Sequence, residues 1–123
     1  MANVTAIIPL SGSTQGKPIK VVATGTAGTT LHTTGTSATV VDRIHLEAFN
    51  SSAADVVLTI EFGGATAPDQ NIVQTITAKT GLTVITPTRR LLLGDGSAGL
   101  TVKAFAASGN VVTVLGDVLR ITP

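Results

Sequence analysis

His32 and His45 are the only imidazoles in a chain of 123 residues that contains no Cys, Trp or Tyr. A Ser-His-Asp relay would need one of them beside a buried acid and an exposed serine. His45 alternates with Arg43 and Glu47 on one side of an extended segment, which predicts an ordinary surface or interface histidine. His32 lies in a threonine-rich stretch with no acidic neighbour in sequence, and the same expectation applies to it. A buried polar pocket joining either histidine to a carboxylate would favour an enzyme. Two histidines seldom build a zinc site, and Asp42, Asp55, Asp69, Asp95 and Asp117 are scattered without calcium-loop spacing, so no metal is expected. Glu47 and Glu61 offer no stronger case for a glycosidase pair. A charged, solvent-facing side of a sheet explains them more simply, and Lys20, Lys79 and Lys103 fit the same role of discouraging edge-to-edge association. The expected catalytic, cofactor-binding and metal-ligating sets are therefore all empty.

Two glycine-rich segments resemble phosphate-binding loops. Gly94-Asp-Gly-Ser-Ala-Gly99 has the G-x-G-x-x-G spacing, but a pyrophosphate site needs a helix starting there to aim its amides. The residues that follow, Leu100-Thr-Val-Lys-Ala-Phe105, are strand-like, which predicts a glycine-rich turn. Gly12-Ser-Thr-Gln-Gly-Lys-Pro18 is one residue short between its glycines and carries Pro where a magnesium-binding hydroxyl belongs, so it reads as a turn into the next strand.

Bulk composition narrows the partners. Eight Lys and Arg against seven Asp and Glu give a net charge of +1, too little for the basic face that phosphate binding requires. Arg89-Arg90 is the only basic pair, and neighbours on a strand would point to opposite faces. With three Phe as the sole aromatics, base-stacking and sugar-stacking platforms are not expected. No window approaches the ~18 to 20 uninterrupted apolar residues of a membrane span. The first ten residues lack a basic start and a long apolar run, which predicts synthesis in the cytoplasm without an export signal. On that expectation the glycosylation-type triplets at Asn3 and Asn50 are chance matches.

The elements that must position these residues are strands. Hydrophobic residues make up 43% and charged residues 12%, which excludes a disordered tail protein, and the length fits one domain spanning 1–123. Twenty-one Thr and 14 Val favour pleated backbone, and 13 Gly punctuate it. The expected class is all-β, an antiparallel β-sandwich or jelly roll of about eight to ten short strands. From Asp42 to Phe49, residues Ile44, Leu46 and Ala48 share one face; from Asp55 to Phe62, Val56, Leu58, Ile60 and Phe62 do, with Val57, Thr59 and Glu61 outside. Paired as a hairpin with Ile44 opposite Ile60, these two strands would set Arg43 beside Glu61 on the wet side. Further strands are expected at 4–8, 18–23, 72–77, 82–86, 89–93, 100–106, 111–115 and 118–122. Gly109-Asn110 suits a two-residue hairpin turn, and Gly63 to Asp69 a loop that leaves the sheet. Residues 24–39 read either as a long loop or as an outer hairpin. Residues 1–17 read either as an N-terminal arm reaching another chain or as a tethered edge strand.

Three pieces of the chain carry a family resemblance. They are Pro9-Leu-Ser-Gly-Ser13 with Gly16-Lys-Pro-Ile-Lys-Val-Val-Ala-Thr24, Thr59-Ile-Glu-Phe-Gly-Gly-Ala-Thr-Ala-Pro-Asp69, and Val102-Lys-Ala-Phe-Ala-Ala107 with Asn110-Val-Val. In these diffuse, compositional motifs the chain resembles the small β-rich virion structural proteins of tailed bacteriophages, of the capsid-decoration or cement type. The resemblance implies a non-enzymatic protein of the virion that binds the major capsid protein on the outer shell. It also implies a symmetric homo-oligomer, often a trimer, and transfers no catalytic or ligand residue. Alternatives are a tail, collar or fibre component, or a receptor- or glycan-binding β-sandwich using loops 24–39 and 63–71.

Overall fold

The computed structural model describes residues 3–123, which contain ten strands and no helix. The strands are β1 (Val4–Pro9), β2 (Ile19–Lys20), β3 (Thr29–Thr33), β4 (Val41–Asn50), β5 (Val56–Phe62), β6 (Asn71–Ile76), β7 (Thr83–Val84), β8 (Arg90–Leu92), β9 (Thr101–Ala106) and β10 (Val112–Thr122). They form two antiparallel sheets. The first runs β1-β10-β4-β7, with β2 also on β10 and β8 also on β4; the second runs β3-β9-β5-β6. The all-β sandwich expected from composition and alternation is the architecture observed.

Each sheet turns one row of aliphatic side chains inward, because period-two alternation sends every second residue to the same face. Ile44, Leu46 and Ala48 from β4 and Val112, Val114 and Val118 from β10 meet Val56, Leu58 and Ile60 from β5 and Val102, Ala104 and Ala106 from β9. Leu10, Val21 and Leu31 close the core, so the segment after β1 packs inside.

The expected hairpin between β4 and β5 does not form. β4 pairs with β10, where Ile44 lies opposite Val118, and β5 pairs with β6 and β9, where Ile60 lies opposite Ile72 and Ala104. Arg43 and Glu61 therefore stand on different sheets. The physical reason lies in the corner between them. The buried Asn50 side chain donates to the carbonyls of Ala54 at 2.8 Å and Ile76 at 2.9 Å, and its Oδ1 accepts from the Ser52 amide at 2.9 Å. These bonds fold the chain across the sandwich instead of back along one sheet. They also enclose the side chain of the Asn50 triplet.

The two expected strands 111–115 and 118–122 are one. Gly116 does not interrupt β10, because it sits opposite Leu46 where a Cβ would strike the His45 carbonyl oxygen; glycine is there for close approach. Gly109-Asn110 joins strands of different sheets rather than a hairpin, although Asn110 does adopt the left-handed turn conformation (φ 66°). Only Ile19–Lys20 of segment 18–23 is strand. The stretch 24–39 divides into an edge strand, β3, and flanking loops. In residues 3–17 the chain forms β1 along β10, with Val4 opposite Thr122 and Pro9 opposite Asp117.

Candidate functional site

The densest polar cluster sits at one end of the sandwich, where β3, β4 and β10 meet. Asp42 opens the inward row of β4, and Arg120 lies opposite it on β10 in the inward row of Val118. Arg120 Nε donates to Asp42 Oδ1 at 2.7 Å and Nη2 donates to Oδ2 at 2.9 Å, a two-pronged fit of guanidinium to carboxylate. His32, 1% exposed, approaches from β3 with Nε2 at 2.7 Å from Asp42 Oδ2. Its Nδ1 accepts the Ser11 amide hydrogen at 3.0 Å, and the Ser11 hydroxyl oxygen accepts the Thr33 amide at 2.7 Å. A β-bulge between Thr30 and His32 accompanies the inward position of His32 next to buried Leu31.

His32 is thus neither a surface nor an interface histidine, contrary to the expectation from its neighbours in sequence. Its carboxylate partner is ten residues away along the chain and is brought near by the crossing from β3 to β4. The arrangement differs chemically from a nucleophile relay. An Nδ1 that accepts an amide hydrogen carries no proton, so the ring proton is on Nε2 and points at Asp42. In a relay the ring offers its bare nitrogen to a hydroxyl; here that nitrogen is occupied by backbone. What the cluster does in this geometry is tie β1's exit, β3, β4 and β10 together. Burial alone would raise the Asp42 carboxyl, but the hydrogen bonds from Arg120 and His32 outweigh it and hold the group below the ordinary range. The same contact with Asp42 raises the Arg120 guanidinium.

Glu61 forms a second buried carboxylate, 1% exposed, on the outward row of β5. It was expected in solvent. Loop 24–28 lies over it instead: the Thr26 hydroxyl and the Gly28 amide, the latter at 2.7 Å, both donate to the carboxylate. Gly28 packs on the Ala104 backbone so closely that a Cβ there would meet it at 2.5 Å. The second sheet's outer face is therefore partly covered by the chain itself.

The remaining candidates stay apart. His45 and Glu47 face outward on β4, with Nε2 3.2 Å from Oε1. Arg89, just before β8, reaches over the outer side of β4 to Asp117 on β10, with Nη2 2.5 Å from Oδ1 and Nη1 3.1 Å from the Arg43 carbonyl oxygen. Segment 94–99 is a turn: Asp95 Oδ1 accepts the amides of Ser97 at 2.8 Å and Ala98 at 2.7 Å, which hold its carboxyl below the ordinary range. Segment 12–18 is also a turn, closed by the Ser13 hydroxyl on the Lys17 carbonyl at 2.8 Å. Asp55 serves the backbone, its Oδ1 accepting the Ala78 amide at 3.0 Å. Lys103 stands beside Glu61 on the central strand β9, and Lys79 occupies a left-handed turn position (φ 50°), so only Lys20 of the three lies on an edge strand. Among the described residues, no group of three or more His, Asp or Glu side chains is gathered as metal ligands.

Sequence reasoning missed Ser11, Arg120, Thr26 and Gly28 and did not single out Asp42 as a partner of His32. Parity held a usable signal for two of them. Asp42 is in phase with Ile44 and Leu46, and Arg120 with Val118, so each belongs to a buried row.

The fold and site define an antiparallel β-sandwich whose buried polar groups join strands to one another. Comparison with known proteins finds no family model, no curated relative and no solved structure that matches the chain.

Proposed function

We propose that this chain is a structural protein of a tailed-bacteriophage particle, a decoration or cement protein that binds the outer shell of the head. The reading joins the family resemblance of the sequence to one structural observation, the state of β1. This strand has six residues, none charged, and among the described residues it pairs on one edge only, with β10. Val4 and Ile7 are 65% and 69% exposed, and Ile8 alone is half-buried. A free edge of this kind offers a row of backbone donors and acceptors to a strand of another protein. The shell's major capsid protein is the partner this reading assigns to it. Many identical modest contacts over a shell then act together.

Copy number in purified particles tests the proposal. A band comparable to that of the major capsid protein on a stained gel supports decoration. A few copies per particle would move the protein to the tail, collar or fibre, and its absence would refute both.

A further inference from the structure

The outer face of the first sheet is built for a second copy of the same chain, and we infer that two copies pack these faces together about a two-fold axis. The strand register gives a map of that face. One cross-strand row is Ile7–Leu119–Arg43–Leu91, the next is Pro9–Asp117–His45, and the third is Leu115–Glu47–Val84. Outward positions of a sheet with one wet side are ordinarily polar. Here Ile7, Leu91 and Val84 are 69%, 54% and 45% exposed, and half-buried Leu115, Leu119 and Ile121 of β10 lie on the same side. The second sheet differs, because loop 24–28 already covers part of its outer face at Glu61.

The order of the rows selects the occupant. A two-fold axis lying along the Asp117–His45 row exchanges the rows on either side of it. Leu119 of one copy then meets Leu115 of the other, Leu91 meets Val84, and Arg43 meets Glu47. The apolar groups coincide and the opposite charges coincide, which is the self-complementarity an isologous interface needs. In the central row each Asp117 keeps its own Arg89 as counter-charge. The size is also sufficient. The 34 strand residues of this sheet, at ~3.3 Å by ~4.8 Å each, cover about 540 Å² per copy, so about 1,100 Å² in total, just above the ~1,000 Å² that a specific interface must clear.

The inference does not depend on the virion reading, because the purified chain alone tests it. Sedimentation or light scattering at about 100 μM should give twice the 12.4 kDa chain mass. Leu91→Lys should weaken the dimer at least ~10-fold, as should Val84→Lys, while Val73→Lys on the other sheet leaves it unchanged. Arg43→Glu should also weaken it, and adding Glu47→Arg should restore it. Leu91 and Val84 are exposed enough for both lysine variants to retain the β-sheet circular dichroism of the parent, which confirms that a mass change reports the interface. A monomer or a trimer at that concentration would overturn the inference. So would a dimer that ignores Leu91→Lys and Val84→Lys, or one that is broken by Val73→Lys.

Discussion

Arg120 on β10 and Asp42 on β4 face each other across a β-ladder, and the guanidinium grips both carboxylate oxygens while His32 takes the remaining side of Oδ2. The pair locks the start of β4 to the end of β10, and through His32 and Ser11 it also holds the segment leaving β1. Removing one partner leaves the other charge without its match in a buried site. Arg120→Ala should lower the unfolding free energy by about 3 kcal/mol, the lower end for a broken buried pair, because Arg120 is itself one-third exposed and water can reach the gap. Urea unfolding of the variant checks this value. A loss below about 0.5 kcal/mol would assign the pair to the class of exposed salt bridges.

Acid should weaken the fold through the same group. The folded Asp42 carboxyl titrates below its ordinary value, so near and below the unfolded value of about 3.9 the unfolded chain binds more protons than the folded one. Its contribution is present at neutral pH and fades as pH falls through the folded value. Asp95 titrates in the same sense, so the Asp42 part is isolated by difference. The stability gap between the parent and Asp42→Asn should be full at pH 6 and shrink below about pH 4. Urea midpoints measured at successive pH values would contradict this if the gap stayed constant.

Glu61 anchors loop 24–28 rather than a solvent layer. Glu61→Ala leaves the Thr26 hydroxyl and the Gly28 amide without their acceptor, at a cost of about 1–3 kcal/mol. Amide exchange at Gly28 should rise in the variant while exchange in the core of β10 rises only by the global loss. Equal changes at both sites would place the anchor elsewhere.

Gly116 tests the close approach of β10 and β4. A methyl group there meets the His45 carbonyl oxygen, so Gly116→Ala should destabilise by about 1–3 kcal/mol. Gly25, with open space around it, should accept alanine within about 0.5 kcal/mol. Thermal unfolding of the two variants side by side gives the comparison.

Local alternation made the strands readable, but not their partners. The inward rows of β4 and β5 follow from period two alone, because Ile44, Leu46 and Ala48 and then Val56, Leu58 and Ile60 leave only one apolar face each. The pairing of β4 with β10 joins residues more than sixty positions apart, and the corner at Asn50 that redirects the chain is recognisable only from its burial and hydrogen bonds. Glu61 was misplaced for a related reason: its parity points outward, and the loop that covers it comes from 33 to 35 positions earlier in the chain. His32 shows the opposite case. Its partner Asp42 is ten residues away along the chain, and the bulge in β3 turns both Leu31 and His32 inward, a phase that strict alternation does not give.

The proposed function makes this sandwich a structural component of the outer shell of a virus particle. The most direct test is an image of the native particle in which this chain is located, for example by a bound antibody fragment. The account predicts density of this two-sheet domain repeated over the outside of the head, with residues 3–9 lying against a neighbouring protein. Particles whose shell carries none of this chain would contradict it.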